Sequence, residues 1–226
     1  MKTYGQFCPV AKAAQLFCMR WTPLIVRDLA GGPLRFSELQ RGVPLMSPSL
    51  LSRRLEELQA EGVVERPGGR GTPYQLTEAG ADLVPLVVEL GTWGQRWTRR
   101  QLEEGEVDLG LFIWAFERSV DPSAFGGARR VVYLELTDQP AGKRRWWFVN
   151  EAGAVDVCIE DPGHEVDVFV ESTLPDLIRV WRGDLSLREV MDDGRVDVHA
   201  GTRLRRAFTK WFGVSTLAHV GSRRGD

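Results

Sequence analysis

Residues 34–77 read LRFSELQRGVPLMSPSLLSRRLEELQAEGVVERPGGRGTPYQLT, and this stretch decides the fold of the N-terminal half. A short helix is predicted at its start, because the Ser37 hydroxyl can accept a hydrogen bond from a backbone N–H that has no partner within the helix. Gly42-Val43-Pro44 ends that helix, since proline has no N–H and steers the residue before it out of the helical region. A tight turn therefore follows the first helix.

A second helix is predicted directly after the turn. Ser47 is a good helix cap, and Pro48 fits the first turn, where its missing N–H costs no hydrogen bond. Leu51, Leu55 and Leu58 follow at helical spacing and form one apolar stripe. The polar residues that face away from this stripe are Ser49, Ser52, Arg53 and Glu56.

A hairpin is predicted after the second helix. Gly62 stops the helix, and two β-compatible stretches, 63–66 and 74–77, flank a loop rich in glycine and proline. This loop carries one guanidinium, that of Arg70. Helix, turn, helix and hairpin in this order are typical of a winged helix-turn-helix, which binds double-stranded DNA. The alternative is a small helical core that contains a hairpin by chance.

The pattern provides candidate DNA contacts. Phosphate contacts supply affinity and base contacts supply specificity. We expect the second helix to enter the major groove with its serines and Arg53, Arg70 to reach the minor groove or the backbone, and Arg54 to bind a phosphate. An ion pair with Glu57 is an equally natural role for Arg54. The full predicted set is Ser37, Ser47, Ser49, Ser52, Arg53, Arg54 and Arg70.

The net charge of −2 conceals an uneven distribution. Residues 1–103 hold 13 Lys and Arg against 10 Asp and Glu, whereas residues 104–226 hold 16 against 21. The positive excess therefore accompanies the predicted DNA-binding segment, as expected for a protein that contacts phosphates.

Composition excludes several other classes of protein. The longest apolar run, 111–116, is far shorter than the roughly 20 residues of a membrane helix, so no membrane association and a cytoplasmic location are expected. Three cysteines and three histidines lack metal-ligand spacing, so neither disulfides nor a metal site is predicted. Carboxylates of the second half alternate along strands without a nucleophile elbow or phosphate loop, which predicts no enzyme and no cofactor.

Helices predicted at 10–29 and 79–102 flank the DNA-binding segment. The second of them carries apolar residues at helical spacings, namely Leu83, Leu86, Leu90, Trp93 and Trp97. Such flanking helices often pack against a second copy, so a homodimer is predicted, and the alternative is that they complete their own core. The two recognition helices of a dimer should face half-sites about 34 Å apart, which predicts an inverted-repeat operator.

The character of the chain changes near residue 105, which predicts two domains, 1–104 and 105–226. The second domain is expected to be α+β, because an apolar helix at 109–116 is followed by strands with period-two alternation and then by further helices. A four-strand meander is the simplest account of the first strands. The domain is therefore predicted to have a mainly antiparallel sheet covered by helices.

Residues spread over 7–97 match a known family. They are Cys8-Pro9, Trp21 with Leu24 and Ile25, Arg35 to Leu39, Ser47 with Leu51 to Leu55, Gly62, Arg66, Tyr74 to Thr77 with Gly80, and Trp93-Gly94. This segment resembles the HxlR-type winged helix-turn-helix regulators. The resemblance implies a homodimer, a recognition helix at 47–59 and a wing at 64–76. The chain departs from the family at Cys18-Met19-Arg20, where Gly-Gly-Lys is usual, and in its glycine-rich wing tip.

The second half carries a looser pattern. It consists of Leu134 to Asp138, Trp147, a strand at 167–168 that runs into 174–183, and a strand within 194–201 before the last helix. This pattern is similar to the sterol carrier protein type-two fold, which implies an apolar cavity between sheet and helices. The aromatic residues predicted to line it are Trp114, Trp146, Trp147, Phe169, Trp181, Phe208 and Trp211. The alternative is that they fill the core.

These patterns together predict a dimeric transcriptional regulator controlled by a small apolar effector in its C-terminal domain. One alternative is a thiol switch at Cys8, because some HxlR-like regulators sense oxidants through a cysteine at this place, and Lys12 lies one turn away. A buried, inert thiol is the competing interpretation. Another alternative, suggested by the second half alone, is a carrier of lipids or other hydrophobic ligands.

Overall fold

The computed structural model describes residues 4–69, 71–98 and 101–223. The chain divides into two compact units, Met1–Trp97 and Thr98–Asp226. The sequence predicts this division a few residues later, and Leu102 packs against the core of the second unit. None of the helices in the described residues combines the length and the apolar character that a bilayer crossing requires.

The first unit consists of helices and one small hairpin. Its elements are α1 (Pro9–Phe17), α2 (Thr22–Leu29), α3 (Phe36–Gly42), α4 (Pro48–Ala60), β1 (Val64–Glu65), β2 (Gln75–Leu76), α5 (Glu78–Ala81) and α6 (Val84–Trp97). Strands β1 and β2 pair antiparallel, with Val64 opposite Leu76. The order helix, turn, helix, hairpin is the one that the sequence predicts.

Three helix limits differ from the predicted ones. The helix expected at 10–29 is two helices, because Trp21 takes a left-handed conformation with φ of 82° and so interrupts the α-helical backbone. Helix α3 begins after Arg35 and not after Ser37, since the Glu38 carboxylate accepts the Arg35 backbone N–H at 2.6 Å. The helix expected at 79–102 is split into α5 and α6 and ends at Trp97.

The core of the first unit gathers around α2 and α4. Leu51, Leu55 and Leu58 are fully buried, and each such side chain contributes roughly 1.5–3 kcal/mol to stability. The other buried apolar residues of this unit are Ile25, Val26, Leu29, Leu34, Leu39, Val43, Met46, Val63, Val64 and Tyr74. Among the described residues, neither α1 nor α6 contributes a buried side chain to this core.

The second unit is α+β. Its elements are α7 (Leu109–Glu117), β3 (Arg130–Leu136), β4 (Arg145–Glu151), β5 (Ala154–Cys158), β6 (Val168–Ser172), α8 (Leu174–Arg182), α9 (Leu187–Asp192), β7 (Val196–His199) and α10 (Thr202–Trp211), with short 3-10 helices at Glu104–Glu106, Pro122–Phe125 and Ala141–Lys143. The strand order is β5-β4-β3-β6-β7. Phe116, Phe148, Phe208 and Trp211 are the largest fully buried side chains of its core.

The sheet is mixed, so the predicted four-strand meander is wrong. Only β3, β4 and β5 form a meander, because β6 pairs parallel with β3 and antiparallel with β7. Asp167 anchors the start of β6 beside β3, since its carboxylate accepts the Val131 N–H at 2.9 Å and pairs with Arg130 at 2.8 Å. Period-two alternation identifies a strand but carries no information about its neighbours.

Candidate nucleic-acid interface

Helix α4 presents a polar stripe on the side that faces away from the core. Ser49, Arg53 and Glu56 are exposed and Ser52 is half-buried, and their spacing of three, four and seven residues places them on one face. The Arg53 side chain is 67% exposed. Ser52 donates to the Glu56 carboxylate at 3.4 Å. Glu56 is absent from the predicted set, although its spacing from Ser49 assigns it to the same face.

The N-terminus of α4 begins this stripe. Ser47 caps the helix, and its hydroxyl accepts the Leu50 N–H at 3.3 Å. The Ser49 hydroxyl lies 3.3 Å from that of Ser47. Backbone N–H groups and the positive end of the helix dipole make such a terminus favourable for a phosphate.

Gln40 fixes the turn between α3 and α4. Its side-chain amide donates to the Met46 carbonyl at 2.6 Å and to the Val43 carbonyl at 3.4 Å. These bonds connect both ends of the turn to α3 and so set the direction in which α4 starts. The sequence pattern does not indicate this role, since a glutamine in a helix is unremarkable by spacing alone.

Arg54 lies on the inner side of α4, unlike its neighbour Arg53. Its side chain is 8% exposed, and Nη1 pairs with the Glu57 carboxylate at 2.5 Å. The same nitrogen contacts the Met19 sulfur at 3.2 Å. The structure thus shows the ion pair that the sequence offers as the alternative, and we leave Arg54 out of the proposed DNA contacts.

The wing is braced by an arginine that is absent from the predicted set. Arg66 Nε donates to the Thr72 carbonyl at 3.1 Å, and Nη1 donates to the Tyr74 hydroxyl at 3.1 Å. Its guanidinium carbon lies 4.5 Å from the centroid of the Tyr74 ring, a cation–π distance. Arg66 therefore closes the base of the loop. Arg70, predicted at its tip, lies outside the described residues.

Helix α6 has an apolar stripe that its own unit leaves open. Leu86, Leu90, Trp93 and Trp97 follow at spacings of four, three and four residues, and each is exposed, with Trp93 at 56%. Near α1, Phe7 and Val10 are also exposed. Large exposed apolar surfaces mark sites of association. The structure therefore removes the alternative that this stripe completes the core of its own unit.

Cys8 occupies the N-cap position of α1 and is half-buried. The Lys12 N–H donates to the Cys8 carbonyl at 3.1 Å, so Lys12 lies one helical turn further on, as expected. The other cysteine of the first unit, Cys18, is exposed at the end of the same helix.

Four of the predicted effector residues lie on the helix-covered side of the sheet in the second unit. Phe208 and Trp211 are buried in the core, and Trp146 and Trp181 pack against it. The Trp211 indole N–H donates to the Asn150 side-chain oxygen at 2.6 Å. The void among the core rings measures about 10 Å³, which is roughly the volume that one water needs.

The other three predicted effector residues lie elsewhere. Trp147 and Phe169 flank Tyr133 across the strands, with ring centroids 5.2 and 5.8 Å from it, and Phe169 is 44% exposed. Burial, together with a hydrogen bond to Glu135, raises the pKa of Tyr133 to about 12. Trp114 lies with its ring centroid 4.9 Å from the guanidinium carbon of Arg118. The seven aromatic residues are therefore not brought together in one cavity.

Comparison with known proteins concerns mainly the first unit. Residues 16–102 match the family described as HxlR-like helix-turn-helix. The uncharacterised HTH-type transcriptional regulator YvaP of Bacillus subtilis is 40% identical over 98 residues, which are 41% of this chain and 91% of YvaP. The HTH-type transcriptional regulator YodB of the same organism is 36% identical over 95 residues, 40% of this chain and 85% of YodB. A crystal structure of quinone-bound YodB has a TM-score of 0.36, with 36% identity, and covers 39% of this chain and 97% of that one.

Proposed function

This chain belongs to the HxlR-like helix-turn-helix family of transcriptional regulators, and from that premise we propose that it binds an inverted-repeat operator as a homodimer. The observation that carries the proposal is that α4 has an exposed polar stripe on one side and a buried leucine stripe on the other. This arrangement allows the helix to enter the major groove without exposing the core.

We assign the DNA contacts from the geometry of α4. The Arg53 guanidinium can reach guanine O6 and N7 or a phosphate, and the hydroxyls of Ser49 and Ser52 can contact base edges. Ser47 and the first turn of α4 would hold a phosphate. Glu56 would accept a hydrogen bond from a cytosine amino group. Its carboxylate would repel any phosphate that it faces. Ser37, which is exposed on α3, remains a proposed DNA contact. Arg70 of the wing loop remains a proposed contact to the minor groove or the backbone.

Arg53→Ala is expected to weaken operator binding by about tenfold to a hundredfold, because one such contact contributes roughly 1–3 kcal/mol. The measurement is a gel-shift titration at fixed salt, with DNA from upstream of the protein's own coding region. Arg53 pairs with Glu57 only at 3.9 Å on the surface, so the variant should keep the parent's stability. The control is Arg203→Ala on α10 of the second unit, which should bind as the parent does. Parent-like affinity of the Arg53 variant would contradict this orientation of α4.

We also propose that a ligand of the second unit controls DNA binding. The support is a separate α+β unit with its own core, which follows the DNA-binding unit in the sequence. Control of this kind requires that the ligand bind one state of the protein more tightly than the other. The aromatic core offers a void of only about 10 Å³, so such a ligand would need either an expanded core or a different site.

A thiol switch at Cys8 is the second candidate, favoured by the position of Cys8 at the start of α1, near the exposed Phe7 and Val10. Oxidation there would alter the exposed apolar surface at the start of α1. Under this hypothesis, diamide changes the operator affinity of the parent by at least about tenfold, which is the size of a typical allosteric coupling. Cys8→Ser should lose that response, and Cys18→Ser should retain it. A Cys8→Ser protein that still responds as the parent does would exclude this switch.

A further inference from the structure

A groove between α9 and α10 of the second unit has a volume of about 550 Å³. Its lining residues are Ser186, Leu187, Arg188, Met191, Asp192, Thr202, Arg205, Arg206 and Thr209. Sites for small organic ligands have volumes of roughly 300–1,000 Å³. This groove is separate from the small void among the aromatic rings of the core.

The charge of the groove is opposite to that of the unit that carries it. Three arginines and one aspartate line it, whereas residues 104–226 hold 16 Lys and Arg against 21 Asp and Glu. Within the described residues, the guanidinium groups of Arg188 and Arg206 and the carboxylate of Asp192 have neither hydrogen bonds nor ion pairs. Arg205 is fixed, since Nη1 donates to the Val198 carbonyl at 3.1 Å. Two exposed guanidinium groups thus remain available for an anion.

The N-terminus of α10 also favours an anion in the groove. Thr202 is the first residue of the helix and lines the groove, and the N-cap residue is Gly201, which has no side chain to satisfy the first N–H groups. An anion near such a helix start is stabilised by the N–H groups and by the helix dipole.

The wall of the groove is apolar along α9. Leu187 and Met191 are half-buried and pack against the core of the unit with part of their surface, while the groove exposes the rest. Met191 is unbranched and polarizable, so it adapts to apolar ligands of different shape. A DNA backbone has no apolar part to place against these two residues, whereas an amphipathic small molecule does.

We infer that the α9–α10 groove binds a small amphipathic anion, with a carboxylate or phosphate group on Arg188 and Arg206 and an apolar chain along Leu187 and Met191. The inference deepens the proposed function, because it supplies the site and the chemical class of the controlling ligand. Binding itself does not depend on that function, and only the effect of binding on DNA does. The aromatic core has no room for such a ligand, so the ligand needs another site, and the groove is such a site.

The test is calorimetric titration of the full chain with octanoate, octanol and octylammonium. Octanoate is expected to bind at least about tenfold more tightly than the neutral and cationic probes, because charge-assisted hydrogen bonds are about twice as strong as neutral ones. Across butanoate, hexanoate and octanoate, the affinity should rise by up to about fourfold for each methylene that becomes buried. Equal binding of all three octyl probes, or no octanoate binding, overturns the inference.

Variants locate the site. The double variant Arg188→Gln and Arg206→Gln should lower octanoate affinity by about tenfold or more, since it removes both free guanidinium groups. Arg203→Gln is the matched control, because it removes one positive charge from α10 at a residue that does not line the groove. Circular dichroism should show the same fold for all three proteins. Parent-like octanoate affinity of the double variant overturns this placement of the site.

A gel shift on the same preparations distinguishes the two proposals. Octanoate binding without operator binding removes the proposed function and leaves the groove assignment intact. Operator binding without octanoate binding removes the groove assignment alone. If the double variant loses operator affinity and the parent binds no octanoate, the two arginines serve DNA, and the groove inference is wrong.

Discussion

Trp93→Glu is expected to convert the protein from a dimer into a monomer and to remove most of its operator affinity. Trp93 is the largest exposed side chain in the middle of the α6 stripe, at 56% exposure. Truncating a tryptophan anchor at an interface costs at least about 2 kcal/mol. In a symmetric dimer the same residue is changed on both sides, so the dimer should dissociate about a thousandfold more readily.

Sedimentation equilibrium measures this change directly, and a gel shift reports its effect on DNA. Val88→Glu is the matched control, since it introduces the same charge at a half-exposed apolar residue about 140° around α6 from Trp93. It should leave the dimer largely intact. Because Trp93 contributes nothing to the buried core, the monomeric variant should keep its helical content. A dimer that survives Trp93→Glu would show that α6 is not the interface.

Gly80→Ala is expected to destabilise the first unit by about 3 kcal/mol, because a β-carbon at this residue has no space. It would lie 2.1 Å from the Val63 carbonyl oxygen and 3.1 Å from a Leu76 methyl group. Helix α5 would have to move away from the wing, and with it the Thr77 hydroxyl that caps the helix and donates to the Gly62 carbonyl. The change is purely steric, since Gly80 is not in the left-handed region that favours glycine.

Hydrogen exchange of the α4 amides reports the stability of the first unit without interference from the second. Exchange in Gly80→Ala should be faster by about a hundredfold, which corresponds to roughly 3 kcal/mol. Gly110→Ala is the control, because the added carbon would meet only the Asp108 carboxylate, at 3.4 Å. Gly110 lies in α7 of the second unit, so exchange of the α4 amides should be unchanged in this control. Equal exchange in Gly80→Ala and in the parent would contradict the close approach of α5 to the wing.

The DNA-binding unit could be predicted well because its information is local. The Ser47 cap, the Pro48 first turn and the leucine stripe all act within α4, and they place Ser49, Ser52 and Arg53 on its open face. Local patterns fail where a contact comes from a distant part of the chain. Helical spacing places Arg54 beside the buried stripe, three residues after Leu51 and four before Leu58. Its contact with the Met19 sulfur, 35 residues earlier, is the part that spacing within α4 does not indicate.

The second unit shows the same limit more strongly. Alternation correctly indicated β3 and β6 as strands, but their parallel pairing depends on residues that are far apart in sequence. The aromatic residues were expected together because all are large and apolar. Their distribution over both faces of the sheet follows from strand register, for Trp146 and Trp147 are adjacent and must face opposite sides. The groove lies between α9 and α10, which are separated in the sequence by β7. A periodic pattern describes one helix at a time, so it does not indicate a groove between two helices.

The parallel pairing of β3 with β6 also determines the order in which the second unit can be completed during synthesis. Strand β3 meets β4 as soon as residue 151 has left the ribosome, but its other edge stays open until residue 172 follows. That open edge carries Val132, Leu134 and Leu136, a β-branched and apolar sequence of the kind that pairs with other chains. Residues 1–97, which form the first unit, are all made before this point, so that unit can fold first. The nascent regulator thus has its DNA-binding end complete while its second unit is still open to aggregation.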